Sequence, residues 1–219
     1  NATDAAKASG VPGQVHVELN GSFLIVANTG RPFTVGGVKS LQTPDLSPKH
    51  SKNSKYIGSK GLGFRSILNW TRHPIILSGN LSLAYNADYV HQLIHTLAAK
   101  HEQINQVLGD AASESDFPVP LLPFPMHLGS SANRNFVEDK VLFARCEALK
   151  DKGFDTVVGM PFDRDQGFAN ALSQVDILRP EFLLFAEGLS ELAVIVNDTG
   201  KEANEYWHKT WHAEKQPGD

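Results

Sequence analysis

Apolar and polar residues alternate in short runs that are joined by tight turns in the first 86 residues. "VHVEL" (15–19) and "FLIVAN" (23–28) flank Asn20-Gly21, and an Asn-Gly pair between two such runs is the strongest short-range signal for a β-hairpin. "PIILSG" (74–79) and "LSLAYN" (81–86) repeat the pattern around Gly79-Asn80. The pattern therefore predicts two hairpins.

Helical spacing of apolar residues alternates with these strands. Short helices are predicted over 1–9, 34–42 and 64–70, and longer helical patterns over 88–108 and 136–153, the last stopping at Gly153. Further along, helices over 169–178 and 181–189 separate strands over 155–162 and 191–197. Because the order lacks a strict strand–helix–strand rhythm, we predict an α+β fold, a mixed, mostly antiparallel sheet with helices on one face.

Composition excludes several classes of protein. The 219 residues carry a formal net charge of −4, which gives no bulk electrostatic attraction to nucleic acid or to an anionic membrane. The single cysteine, Cys146, excludes an internal disulfide and indicates a reducing compartment, hence a cytoplasmic protein. No apolar run reaches the ~20 residues of a membrane span. Since the chain opens on Asn1 and not on Met, we expect a fragment of a longer protein.

A glycine-rich run, "KYIGSKGLGFRSIL" (55–68), precedes one of the predicted helices. It is not a P-loop, because Lys60 precedes Gly61, and it is not a dinucleotide fingerprint, because the spacing Gly58-x-x-Gly61-x-Gly63 is reversed. Backbone N–H groups at a helix start form an anion site, to which Lys60 adds a point charge. The run therefore indicates phosphate binding of another kind.

Two further stretches carry candidate chemistry. Asn1 and Asp4 share one face of the first helix, and an amide oxygen is a reasonable Mg²⁺ ligand; the alternative is an ordinary helix cap. In "ANTGRPFT" (27–34), Asn28 ends a strand and Gly30 lets backbone approach a flat ligand; the alternative is a simple turn. Thr156, in "FDTVV", carries little information by itself.

In this order and spacing, the stretches resemble the GHKL ATPase family of gyrase B, the large heat-shock chaperone, histidine kinases and MutL. "NATDA" resembles its N-box, "NTGRPFT" its adenine-side box, "IGSKGLGF" its glycine box and "FDTVV" its late strand with a threonine. The resemblance is strongest to the sacsin and NO VEIN branch, which has Asn-x-x-x-x-Phe, a Ser-x-Lys in the ATP lid and a glycine box close to "YIGQKGIGFKSVF". It covers residues 1–85 and 153–196.

The resemblance implies a Bergerat-type two-layer sandwich that binds Mg-ATP. Asn1 would ligate the Mg²⁺, Asn28 would meet the adenine amine, and Thr156 would complete that hydrogen-bond set through water. The other residues implied to contact ATP belong to the adenine-side box, the lid and the glycine box: Gly30, Phe33, Ser47, Lys49, Gly58, Lys60, Gly61, Leu62, Gly63 and Phe64.

Three departures bear on activity. Most members have Asp at the position of Asn28, so the hydrogen bond to adenine loses its charge assistance. Pro32 replaces a glycine of the chaperone-type box and stiffens the turn. The family's general base is a glutamate one helical turn before Asn1, which lies upstream of residue 1, and Asp4 is a poor substitute. Hydrolysis is therefore expected of the full-length protein, and its catalytic residue is unknown here.

The resemblance implies an ATP-binding domain over 1–197, with an insertion at about 86–152, and a helical extension over 198–219. It implies a chaperone-like protein in which ATP orders a lid that downstream domains, a protein partner or a second copy of the chain would read. The alternative is a nucleotide-binding or protein-interaction module without turnover. A histidine kinase is not supported, because no phospho-acceptor helix accompanies the boxes. A topoisomerase or mismatch-repair role is not supported either, because the chain has no basic transducer segment.

The histidines and the cysteine have simpler interpretations. His208 and His212 have the i, i+4 spacing of zinc ligands, but a terminal amphipathic helix with Trp207 and Trp211 as docking anchors is the favoured prediction. The remaining residues of this group are expected to be surface histidines and a packing cysteine: His91, His95, His101 and Cys146.

Overall fold

The structure of the chain is a computed structural model that describes residues 2–42, 62–109, 119–129, 137, 139–163, 166–198 and 201–208. The strands are β1 (Gly13–Asn20), β2 (Phe23–Asn28), β3 (Ile75–Ser78), β4 (Leu81–Ala84), β5 (Met126–His127), β6 (Thr156–Pro161), β7 (Leu189–Asp198) and β8 (Lys201–His208). They form one sheet in the order β5-β4-β3-β6-β2-β1-β7-β8. Neighbouring strands are antiparallel except β1 and β7, which are parallel.

Helices occupy the connections between these strands. The α-helices are α1 (Ala2–Ser9), α2 (Val35–Gln42), α3 (Leu62–Arg65), α4 (Ala87–Lys100), α5 (Glu102–Leu108), α6 (Lys140–Asp151), α7 (Gly167–Asp176) and α8 (Glu181–Phe185), and a 3₁₀ turn covers Ser66–Asn69. The helix predicted over 88–108 is therefore two helices, which meet at the extended residue His101. The α+β class and the mostly antiparallel sheet are confirmed.

Both predicted hairpins are confirmed, and each turn has its own physical basis. In the β1–β2 turn the side-chain Oδ1 of Asn20 accepts hydrogen bonds from the backbone N–H groups of Ser22 and Phe23, both at 2.8 Å. In the β3–β4 turn Gly79 adopts a φ of +54°, which glycine reaches at little cost. An asparagine side chain organises one turn and glycine's backbone freedom organises the other.

The sheet buries a separate core on each face because side chains alternate along a strand. Face A, the side that carries Val17, Leu24 and Ile76, packs against residues from six helices and the 3₁₀ turn: Ala6, Leu41, Phe64, Ile67, Val90, Ala171 and Leu183. Face B, the side that carries Ile25, Leu77 and Val157, packs against residues of α6: Leu142, Phe143, Cys146 and Leu149.

The prediction of helices on one face is therefore wrong. Helix α6 lies on face B and approaches the sheet closely at Gly159 of β6, where an added Cβ would come within 2.7 Å of Cys146 Sγ. Cys146 is fully buried, and burial together with the nearby carboxylates of Glu18, Asp139 and Glu147 raises the pKa of its thiol to about 12. The thiol is a packing group, as predicted from the sequence.

The C-terminal region also differs from the prediction. Residues 201–208 form strand β8, which pairs antiparallel with β7, and do not form the expected helical extension. The predicted domain boundary at 197 falls inside the β7–β8 hairpin, because β7 continues to Asp198. Residues 209–219, including Trp211 and His212, lie outside the described residues.

A buried charged cluster ties face B to α6. The carboxylate of Glu18 on β1 accepts from Arg145 Nε, which lies 2.9 Å from each of its oxygens, and lies 3.2 Å from His16 Nε2. Burial raises the pKa of the Glu18 carboxyl, but the hydrogen bonds and charges of His16 and Arg145 together bring it below its ordinary value of 4.5. Glu18 is therefore a charged residue that depends on its partners.

Replacing Arg145 with Met should destabilise the fold by about 2–3 kcal/mol, because Glu18 then keeps its charge in a buried site without its arginine partner. Adding Glu18→Gln should recover at least about 1 kcal/mol relative to the sum of the single changes. Urea unfolding of the four proteins of this cycle measures both quantities. The exposed Arg179→Met is the matched control, and simple additivity of the cycle would contradict the ion pair.

Stability should also depend on pH through Glu18. The pKa of Glu18 is lower in the folded protein than in the unfolded chain. The stabilisation of the fold by ionised Glu18 is therefore fully present above about pH 4.5 and is lost as the pH falls through the folded pKa. The difference in unfolding free energy between the wild type and Glu18→Gln should therefore shrink below pH 4.5. Denaturant titrations at a series of pH values measure it, and a constant difference would refute the assignment.

Candidate functional site

Three polar residues form a row across neighbouring strands of face A. Asn28, the last residue of β2, pairs directly with Thr156, the first residue of β6, and Thr156 pairs with Ser78, the last residue of β3. Since directly paired residues share a face, the register brings the three side chains to one edge of face A. They are 9%, 6% and 1% exposed, respectively, which makes this a buried polar row at the margin of an apolar core.

Hydrogen bonds link this row to the turn after β2. Ser78 Oγ lies 2.6 Å from Thr156 Oγ1 and accepts from the backbone N–H of Phe33 at 2.9 Å. The Asn28 side-chain Nδ2 donates to the carbonyl of Thr29 at 3.0 Å. That bond sets the orientation of the amide and leaves Oδ1 as an acceptor. Ser78, which the sequence does not indicate, thus links Thr156 to the turn after β2, and Asn28 lies on the other side of Thr156.

The same turn is anchored from three other directions. The backbone N–H of Gly30 donates to Asp155 Oδ2 at 2.8 Å, and that of Arg31 donates to the carbonyl of Ala5 in α1 at 3.0 Å. Thr29 and Gln14 exchange two hydrogen bonds, which fix the turn to β1. The turn is therefore held rigidly between α1 and the ends of three strands.

The local structure requires a glycine at position 30. Its φ is +121°, and an added Cβ would lie 2.7 Å from the backbone C and O atoms of Ala5. The glycine permits the close approach of α1 to the turn. Whether it also leaves room for a purine ring stays a prediction.

An aromatic pair lies beside the polar row. Phe33 and Phe64 meet edge to face, with ring centroids 6.4 Å apart and an interplanar angle of 84°. Phe33 belongs to the turn after β2 and Phe64 to α3, so the structure brings together residues from two of the sequence stretches. Arg65 of α3 donates from Nη2 to the carbonyl of Leu41 in α2 at 2.9 Å.

The other predicted site residues are not placed. Leu62 and Gly63 lie in α3, of which only the backbone is described at these positions. The remaining ones lie outside the described residues: Asn1, Ser47, Lys49, Gly58, Lys60 and Gly61. Asp4 of α1 is buried. Among the described residues no group of three or more His, Cys, Asp and Glu side chains could hold a metal ion.

Ser78 and Asp155 are the residues that sequence reasoning missed. Ser78 ends an apolar strand just before a Gly-Asn turn, where a small polar residue gives no distinct signal. Asp155 precedes Thr156 in "FDTVV", a stretch in which no local pattern marks it as a site residue. Only the antiparallel pairing of β3 with β6 brings the Ser78 side chain to Thr156.

A second polar cluster lies at the other end of β3 and β6. Asp163 accepts from His73 Nδ1 at 2.7 Å and from the backbone N–H of Arg72 with both carboxylate oxygens. Burial raises the pKa of Asp163, but these hydrogen bonds and the charges of His73 and Arg72 bring it below its ordinary value of 3.8. The cluster borders a cavity of about 150 Å³, which is smaller than the several hundred Å³ of typical small-molecule sites.

No protein-family model matches the chain, and no curated protein shows significant similarity to it. None of the described helices is long and apolar enough to cross a membrane.

Replacing Gly30 with Ala should destabilise the protein by about 2 kcal/mol or more, because the φ is unfavourable for alanine and the new Cβ collides with the α1 backbone. Amide exchange of Arg31, whose N–H donates to Ala5, should accelerate. Gly36→Ala is the matched control: it lies in α2, its Cβ would meet Thr34 Oγ1 at an ordinary 3.7 Å, and it should be neutral or stabilising. Equal stability of the two variants would contradict this packing.

Proposed function

We propose that this chain is a Mg-ATP-binding domain of the GHKL (Bergerat) type, part of a larger sacsin-like, chaperone-like protein. The observation that carries the proposal is the buried polar row of Asn28, Thr156 and Ser78 at the strand ends. A sheet face that is otherwise apolar gains nothing in packing from three adjacent polar side chains, and buried polar groups are usually retained where they meet partners. A base with donors and acceptors on its edge is a fitting partner.

The chemistry of the row suits adenine. The Oδ1 atom of Asn28 is an acceptor, as an exocyclic amine requires, since its Nδ2 donates to Thr29. The Thr156 hydroxyl can donate or accept and is held by Ser78. A neutral amide accepts less strongly than a carboxylate, so we expect weaker binding than an aspartate at this position would give.

Apolar surface next to the row supports the binding of a flat ring. Phe33 and Phe64 pack edge to face, and Phe64 is buried. Small-molecule sites combine such apolar walls with a few fixed polar groups. The anchoring of the turn by Asp155, Ala5 and Ser78 would spare the site the entropic cost of ordering on binding.

The phosphate and metal part of the proposal rests on sequence. Gly58, Gly61 and Gly63 would give backbone N–H groups to the phosphates, with Lys60 beside them and Ser47 and Lys49 reaching from the lid. Asn1 would hold Mg²⁺, which neutralises phosphate charge. Turnover would require the upstream glutamate, and downstream domains or a second copy would respond to ATP.

A protein-interaction module without turnover is the second candidate. Four large apolar side chains of the segment 177–185 are strongly exposed: Ile177 at 67%, Phe182 at 50%, Leu184 at 58% and Phe185 at 82%. Exposed apolar clusters of this kind often mark contact surfaces. Both candidates retain the same fold and differ in whether nucleotide binds.

Calorimetric titration of Mg-ATP into the chain tests the proposal. The wild type should bind saturably, and Thr156→Val, which keeps the shape but removes the hydroxyl, should weaken binding about 2–10-fold, the value of one neutral hydrogen bond. Asn28→Ala should weaken it further. Gly61→Val, which blocks the approach of phosphate to the backbone, should abolish it.

Asn80→Ala is the matched control, because Asn80 is an exposed asparagine in the β3–β4 turn and should leave the affinity unchanged. Circular dichroism would verify that each variant is folded. A folded wild type that does not bind Mg-ATP would refute the nucleotide site in this chain and would favour the interaction module.

A further inference from the structure

Two pairs of histidines in this chain have the i, i+4 spacing that lets two imidazoles on one helix face share a metal ion. In the pair His208 and His212, His208 is the last residue of strand β8 and not part of a helix. His212 lies outside the described residues. The pair His91 and His95 lies within α4. Of the two pairs, the structure therefore places both members on one helix only for His91 and His95.

The two imidazole rings of α4 lie side by side. Their centroids are 4.6 Å apart, with an interplanar angle of 54°, and both side chains are half-buried. A metal–nitrogen bond of about 2.1 Å places a ring centroid about 3.2 Å from the metal, so two imidazole centroids are about 4.5 Å apart at a 90° N–metal–N angle, as in tetragonal Ni²⁺ sites, and about 5.2 Å apart at the tetrahedral angle of Zn²⁺. The observed separation is thus close to that of a two-imidazole chelate.

We propose that His91 and His95 chelate a borderline divalent metal ion, Zn²⁺ or Ni²⁺, on the surface of α4. Imidazole nitrogen is a preferred ligand of these ions. Asp88, one turn before His91, lies on the same helix face; its side chain is 63% exposed, and its carboxylate lies 3.7 Å from Nε2 of His73. It adds negative charge that favours a cation. The proposal does not depend on ATP binding.

Two features set the strength of this site. Within the described residues no third His, Cys, Asp or Glu completes a metal-binding group, so water would fill the remaining positions. The Nε2 atom of His91 is covered by protein, so chelation through this atom requires rotation of the ring. The site is therefore weaker than a closed structural zinc site and more like an exchangeable surface chelate.

Titration of NiCl₂ and of ZnCl₂ into the untagged chain tests the proposal by calorimetry. The wild type should bind one ion saturably, and His91→Gln or His95→Gln should each weaken binding at least about tenfold. His101→Gln is the matched control, an exposed histidine at the end of the same helix, and His208→Gln controls for the other pair. Both controls should bind like the wild type.

A second readout separates binding from a general loss of structure. Zn²⁺ should raise the thermal unfolding temperature of the wild type and of His101→Gln, but not that of His91→Gln, because an ion that binds only the folded state stabilises it. Absence of saturable binding by the folded wild type would overturn the proposal. So would unchanged affinity in His91→Gln and His95→Gln, or a loss confined to His208→Gln.

Discussion

The antiparallel register of β2, β6 and β3 is the constraint on which the candidate site depends. Side chains alternate across a strand, so a slip of one residue would exchange the two faces. In the observed register Asn28, Thr156 and Ser78 pair in a line on face A, while Ile25, Leu77 and Val157 fill the core of face B. The same pairing thus places the polar row and closes the second core, and neither can move without the other.

Small residues determine how closely α1 can approach this sheet edge. An added Cβ at Gly13 would lie 2.7 Å from the Cβ of Ala6, and one at Gly30 would collide with the backbone of Ala5. Because the helix lies this close, its carbonyl at Ala5 can accept from Arg31. The alanine-rich helix and the two glycines therefore act together to hold the turn after β2 in place. A stable turn is what a site built from a strand-end amide needs.

Face B shows how charge can be accommodated in a sheet. Glu18 is buried on β1, an interior strand of the sheet, where a lone carboxylate would be costly, and Arg145 of α6 offsets that cost from the helix that packs on face B. Beside the start of β3 and the end of β6, hydrogen bonds from His73 and from the Arg72 backbone N–H likewise offset the cost of burying the Asp163 carboxylate. Both carboxylates join elements that are far apart in the chain, so each fixes a tertiary contact and contributes little to local structure.

The sequence by itself determined the local elements of this protein. Turn chemistry at Asn20 and Gly79 and the apolar spacing of α1, α4 and α6 predicted the hairpins and helices, since these signals act over a few residues. The position of Asn28 at a strand end also indicated a candidate site residue, whereas Thr156 was indicated only by a resemblance. The parallel pairing of β1 with β7, the strand at 201–208, the helix on face B, the link through Ser78 and the juxtaposition of His91 with His95 were decided by tertiary structure. Strand pairing and helix packing depend on contacts between residues that are distant in the chain, and a local sequence pattern does not determine which distant residues come into contact.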